Sequence, residues 1–379
     1  MNAADPEAIR EAAGTLGFEF VGVTGADPAA ADGEFLTRWL SEGKAAGMAW
    51  LGRDPARRST PKAFLPEALS LISLGVRYYQ GPLPPPPDVP AGRVARYAWG
   101  GDYHAVIEER LEKFRGELAR IFGPGVISRP AVDAQPLLER AFARRGGLGF
   151  VGKNTNLIRP GVGSYLFLAD VLVNLEWPAD PSLPQGCGAC VKCSAACPTG
   201  ALDEAYVLDS GLCIAYHTIE NRGDIPRHLR PKMGNWLFGC DDCQDICPFN
   251  TRVGETRWRE FRAERGPGAW LALGDVLRLR TAEAWKKRFQ GTSILRAKRA
   301  GLVRNACVSA ANLGFVEELA PELEDCLRRD SEPVVRSHAA WALGRAGNAR
   351  SRGILDRAHG GEPDPGVREE MEAALDFRP

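Results

Sequence analysis

The chain has 379 residues, 44% hydrophobic and 25% charged, with 48 Lys and Arg balancing 48 Asp and Glu. Such a composition suits two or three water-soluble domains, and a formal net charge of zero excludes whole-molecule steering of any one partner, leaving that to local clusters. The acidic start Met-Asn-Ala-Ala-Asp-Pro-Glu lacks the apolar stretch of an export leader, and the apolar run at 164–175 is too short and interrupted to cross a bilayer. The expectation is a cytoplasmic protein with no membrane partner.

Residues 8–16 read as an amphipathic helix, 18–23 as a strand and 70–79 as a second strand. Residues 81–90, Gly-Pro-Leu-Pro-Pro-Pro-Pro-Asp-Val-Pro, can be neither helix nor sheet interior, because each proline removes a backbone donor and fixes φ. They are read as a stiff surface loop inside the first domain. Residues 103–122 predict a long helix with Val106, Ile107, Leu111, Phe114, Leu118 and Ile121 on one side. A shorter helix follows at 136–145, stopped by Gly146-Gly147, and 165–175 read as a buried strand. This first region, 1–177, is expected to be an α/β domain.

From 178 to 255 the sequence turns to cysteines, prolines and turns. Cys187-x2-Cys190-x2-Cys193-x3-Cys197-Pro198 has the spacing of a bacterial ferredoxin, in which three close thiolates converge on one cube and the fourth serves another. Cys240-x2-Cys243-x3-Cys247-Pro248 is one cysteine short, and Cys213 supplies it. The crossing rule pairs Cys187, Cys190 and Cys193 with Cys247, and Cys197 with Cys213, Cys240 and Cys243, in two [4Fe–4S] clusters. Zinc favours paired knuckles without the Cys-Pro member, and a reducing compartment disfavours disulfides. Cys307 and Cys326 have no partner pattern and read as packing.

The last segment, 256–379, opens with a basic run. Nine Lys and Arg lie between positions 278 and 304 against Glu283 alone. A second basic group, with Arg222 and Lys232, precedes the second cysteine run. Stripes of this kind can track a phosphate backbone, although most charge runs are simply solvated faces. Beyond them a 32-residue period aligns Val303-Arg304, Val335-Arg336 and Val367-Arg368, and also Ala310, Ala342 and Ala374. That period marks stacked helix pairs of the HEAT type. The whole is expected to be an α+β multidomain protein.

Four more phrases stand in order along the chain: Tyr97-Ala-Trp-Gly-Gly-Asp-Tyr-His104, Val132-Asp-Ala-Gln-Pro-Leu-Leu-Glu139, Gly149-Phe-Val-Gly-Lys-Asn-Thr155 and His217-Thr-Ile-Glu-Asn-Arg222. With Gly239-Cys-Asp-Asp-Cys-Gln-Asp-Ile-Cys-Pro-Phe-Asn250 they resemble the epoxyqueuosine reductases of bacterial tRNA modification, over nearly the whole length. The resemblance implies a reductive-dehalogenase-like catalytic domain that binds cobalamin, beside the two clusters. It implies tRNAs with GUN anticodons (Asp, Asn, His, Tyr) as substrate, an external electron donor, and a monomer. The chain lacks an Asp-x-His-x-x-Gly motif, which fits base-off cobalamin with no protein histidine below the cobalt.

In that family pattern Asp133 is the general acid, and an acid working near neutral pH calls for a raised pKa. Read locally, Asp133 is better taken as a cap of the helix entered at Pro136, and it is the resemblance that makes it the acid. The resemblance makes Arg57, Tyr97, Asp133, Lys153, Asn154 and Asn156 candidate cofactor contacts. It makes Arg222, Lys232, Lys286, Lys287, Arg296, Lys298 and Arg299 candidate tRNA contacts. His217 reads as structural. Two rival readings are a reductive dehalogenase of small organohalides, which has no use for a basic repeat, and an electron-transfer ferredoxin, which leaves the N-terminal region without a purpose.

Overall fold

The structure, a computed structural model, describes residues 6–133 and 135–378. Met1 to Asp5, most of the acidic start, lie outside them. The backbone gathers into two units: Met1–Gly81, Gly101–Gly211 and Asp242–Arg262 form the first, and Pro82–Gly100, Leu212–Asp241 and Ala263–Pro379 the second. These units cut across the three segments read from the sequence, because stretches distant in the chain pack together. The proline-rich loop was expected inside one domain, yet it begins where the chain passes from the first unit to the second.

In the first unit four strands form a sheet in the order Phe20–Gly25, Ser70–Arg77, Leu166–Val173, Ser128–Ala131. Every neighbouring pair is antiparallel. This corrects the α/β expectation for the region: strand and helix signals alternate, but periodicity reports side-chain burial and carries no information on strand direction. The two central strands are buried along most of their length, as expected where both faces are covered. Helix Glu139–Arg145 packs against Phe20–Gly25, Ser70–Arg77 and Leu166–Val173, and helix Tyr103–Phe122 against Ser128–Ala131 and Leu166–Val173.

The long helix spans the predicted residues. Asp102 caps it by accepting the His104 amide at 3.1 Å, and Gly123, at φ +93°, ends it. Ile107, Leu111, Phe114 and Leu118 are buried, each stabilising the unit by about 1.5–3 kcal/mol. The shorter helix starts at Glu139 rather than 136. Phe150–Val151 and Leu157–Ile158 pair as a hairpin whose loop carries Lys153 and Asn154.

The second unit holds a three-stranded sheet in which Ala91–Val94 runs parallel to Trp236–Phe238 and antiparallel to Trp270–Ala272. Its larger part is the expected helical stack: Lys298–Asn312, Ala320–Arg329, Pro333–Ala346, Ala349–His359 and Pro365–Asp376. The repeated valines are the anchors, with Val303, Val335 and Val367 buried together with Ala310, Ala342 and Ala374. Gly344 has no room for a side chain, since a Cβ there would lie 2.6 Å from that of Ala374. Cys307 and Cys326 are buried in this core, as expected. Among the described residues no helix is long and apolar enough to cross a membrane.

Candidate functional site

Cys187, Cys190, Cys193 and Cys247 all lie in the first unit. Cys247 is buried with Phe150 and Ile158, and Cys187 and Phe249 pack on them. Burial pushes the Cys247 thiol up, and charge on Cys187, Cys193 and Cys190 pushes it further. Burial likewise raises Cys193, with Cys187 and Cys190 adding to it. Thiols this crowded ionise together only around positive charge, so the donor set fits the cluster ligands that the spacing predicts. Among the described residues no group of three or more His, Cys, Asp or Glu side chains has the arrangement of a single-ion site. The other four cysteines divide between the units: Cys197 and Cys243 lie in the first, Cys213 and Cys240 in the second.

Two of the expected cofactor contacts, Lys153 and Asn154, bond the cysteine loops. The Lys153 amide approaches Cys187 Sγ at 3.5 Å, and its Nζ donates to the carbonyls of Gly188 and Cys190 at 2.8 and 3.0 Å. Buried Asn154 donates to the Cys243 carbonyl at 3.3 Å, and Asn156 donates back to the Asn154 carbonyl at 3.4 Å. The hairpin loop therefore brackets the two cysteine runs, where the sequence showed only a glycine-rich turn. Arg57 is exposed, its guanidinium 4.8 Å above the Phe64 ring. Tyr97 belongs to the second unit and packs on Phe238 at 5.9 Å.

Asp133 sits in a turn just past the strand Ser128–Ala131, with 57% of its side chain exposed. Its φ of +42° is a left-handed conformation costing a non-glycine residue about 1–2 kcal/mol. The Tyr103 hydroxyl donates to Asp133 Oδ2, and His104 Nε2 lies 3.1 Å from the same oxygen. The other ring nitrogen of His104 is 2.8 Å from Asp102 Oδ1. Tyr103 stacks between His104 and Phe167, at 4.0 and 4.4 Å, which holds the array flat.

The charges follow from this geometry. Burial alone would lower the His104 pKa, but its bonds to Asp102 and Asp133 outweigh that and push it up to about 9. Lost hydration would raise Asp133, yet hydrogen bonds from His104 and Tyr103 bring its carboxyl below the ordinary value. In the uncovered chain the Asp133 carboxyl therefore lies below its ordinary value: at neutral pH the proton rests on His104, with Asp133 ionised beside it. Sequence reading passed over Asp102, Tyr103 and His104. Their phrase was noted, but thirty residues separate them from Asp133 and only the fold joins them.

Histidine chemistry bears on the expected cobalamin. The ring nitrogens of His104 are engaged by carboxylates, and those of His338 by Ile225 and Val334. His217 is buried against Asn221, and His359 meets Glu372. Those four side chains meet protein partners, and the fifth histidine, His228, is exposed.

In the second unit the basic run is largely neutralised. Arg278 pairs with Asp275 and Glu322, Arg280 with Asp325, and Arg288 with Asp275. Arg296 is held by Glu220 at 2.6 and 3.0 Å, and Arg299 by Asp330 at 2.7 and 2.8 Å. Arg222 donates to the carbonyls of Ile219, Ala297 and Arg296. Arg304 is buried, and donates to the carbonyls of His217, Asn221 and Gly223. Acidic partners from outside the counted window remove most of the apparent excess. Lys232, Lys286, Lys287 and Lys298 are exposed.

Known proteins share long segments with this chain. Residues 58–134 match the family model "Epoxyqueuosine reductase QueG, DUF1730", 186–250 match "4Fe-4S double cluster binding domain" and 292–376 match "HEAT repeats". The chain therefore has an iron–sulfur double-cluster segment and HEAT repeats, as read from its sequence. Epoxyqueuosine reductase of Escherichia coli (strain K12) is 36% identical over 349 residues, covering 90% of this chain and 89% of that protein. That of Xanthomonas campestris is 37% identical over 353 residues, covering 89% and 95%. A crystal structure of epoxyqueuosine reductase with an epoxyqueuosine-modified tRNA-Tyr stem loop superposes with a TM-score of 0.90 at 31% identity, covering 98% and 97% of the two chains. The chain belongs to the epoxyqueuosine reductase family.

Proposed function

We propose that this oxidoreductase reduces epoxyqueuosine to queuosine at the wobble position of tRNAs with GUN anticodons, in the cytoplasm, using cobalamin and two [4Fe–4S] clusters fed by an external donor. The reaction converts an epoxide to an alkene with two electrons, two protons and loss of water. When bound, the clusters supply electrons singly and the cobalt of cobalamin supplies the centre at which the carbon–oxygen bond is cleaved. The residues of this chain must orient the substrate, keep water out and deliver a proton to the departing oxygen.

The observation that carries this reading is Asp133, bonded by both the Tyr103 hydroxyl and His104. Exposed in the free chain, Asp133 can meet a substrate oxygen. Covering it would remove hydration and raise its affinity for a proton, which His104 holds at 3.1 Å. Asp133 then acts as the acid, recharged by His104 and aligned by Tyr103. Arg57, exposed and anchored over Phe64, is a candidate contact to a cofactor amide. On spacing, Cys187, Cys190, Cys193 and Cys247 bind one cluster, and Cys197, Cys213, Cys240 and Cys243 the other.

The test is turnover of epoxyqueuosine tRNA by oxygen-free protein reconstituted with iron, sulfide and cobalamin. Asp133→Asn is expected to keep iron, corrin and tRNA binding while turnover collapses. Wild-type turnover in that variant would remove Asp133 from the mechanism.

A further inference from the structure

Asp133 is held from behind as well as from the side. Glu139 Oε1 accepts the Asp133 amide at 2.7 Å. Behind Glu139 lies Asp170, fully buried on the strand Leu166–Val173. In the sheet register Asp170 stands between Ser73 and Ala131, and Ala131 ends the strand that leads into the Asp133 turn. Ser73 Oγ donates to Asp170 Oδ1 at 2.6 Å, while Asp170 Oδ2 is buried with no hydrogen-bond partner.

We propose that Glu139 is a positioning residue that latches Asp133 in its left-handed turn, with Asp170 as the buried carboxyl that backs the latch. This rests on the reading of Asp133 as the acid. A residue at φ +42° is easily lost to extended conformations, and its amide is a backbone donor by which the turn can be gripped. Glu139 alone grips it among the described side chains.

The electrostatics agree with a latch that works uncharged. Burial raises the Glu139 carboxyl well above its ordinary value, with the charges of Asp170 and then Asp133 adding to it. Burial raises Asp170 as well. Two such carboxyls do not both ionise at neutral pH, so the pair keeps a proton. An ordinary helix-start glutamate would be favoured as the anion by the dipole of the helix Glu139–Arg145. Here burial, and then the neighbouring carboxyl, override that preference. A neutral Glu139 still accepts the amide through its carbonyl oxygen, and it spares Asp133 a second negative charge next to the reacting oxygen.

The decisive measurement is steady-state kinetics on epoxyqueuosine tRNA with holoenzyme variants, each checked for melting temperature and iron content. Glu139→Ala is expected to lower kcat on the order of tenfold to a hundredfold, the usual cost of a misplaced catalytic group, with KM unchanged. Glu139→Gln keeps a neutral carbonyl oxygen at the same reach and should recover most of the rate. Glu139→Asp, with its oxygen drawn back, should remain slow. Because the latch acts only through Asp133, adding Glu139→Ala to Asp133→Asn should slow that variant no further. Wild-type kcat in Glu139→Ala, a Glu139→Gln as slow as the alanine variant, or an additive double variant would each overturn the latch. A fully active Asp133→Asn would instead bring down the acid assignment beneath it, and the two failures are read from different variants.

Discussion

Asp170 occupies the middle of the sheet with none of its surface exposed, and burial pushes its carboxyl up to about 7. An unfolded aspartate titrates near 4. Between those values the folded chain binds more protons than the unfolded one, so stability is highest in acid and falls as pH rises, by up to about 1.4 kcal/mol per pH unit. Glu139, raised for the same reasons, adds in the same direction. Asp170→Asn is therefore expected to flatten the decline in melting temperature between roughly pH 4 and 7. A variant whose melting temperature falls as steeply as wild type would show that Asp170 is not the group responsible. His104, a cation with two carboxylate partners, acts in the same direction over a higher range of pH. Its stabilisation is complete below the unfolded value near 6.5 and fades as pH passes about 9.

At the scale of elements, two features can be tested separately. Cys247 is remote in sequence from Cys187 but shares its apolar setting beside Phe150. Cys247→Ser should lower the iron content of oxygen-free protein from about eight toward about four per chain, the loss of one four-iron cube. An unchanged iron content would break the crossing assignment. The helical stack depends on close approach: Gly344 meets the Cα, Cβ and carbonyl of Ala374 at under 3 Å once a Cβ is added. Gly344→Ala should cost about 1–3 kcal/mol through overpacking, seen as a lower melting temperature without loss of iron. Periodicity revealed the helices and the repeat, because burial recurs every 3.6 residues and every repeat length. It did not reveal that Leu166–Val173 runs antiparallel to both neighbours.

At the scale of the whole molecule, the balance of charge conceals a local one. Counted along the chain, residues 278–304 are strongly basic. In the fold, Glu220, Asp275, Glu322, Asp325 and Asp330 reach those arginines and cancel them. The tRNA surface we propose therefore rests on its exposed lysines. Replacing Lys286, Lys287 and Lys298 together by Ala is expected to weaken tRNA binding and reduce the slope of log affinity against log salt, by up to about two to three. Binding that keeps its full salt dependence would place the RNA elsewhere.

The iron–sulfur chemistry, the helical repeat and the family were legible in the sequence alone, because each is written in spacing: ligand to ligand, helix to helix, phrase to phrase. The surroundings of Asp133 were not. Whether it is an acid or a cap depends on Tyr103 and His104 arriving from a helix thirty residues earlier, and on Glu139 and Asp170 meeting behind it. Lys153 and Asn154, read as cofactor contacts, turned out to bond the cysteine loops. Proton affinity and partner choice are set by what stands within a few ångströms, and that proximity exists only once the chain has folded.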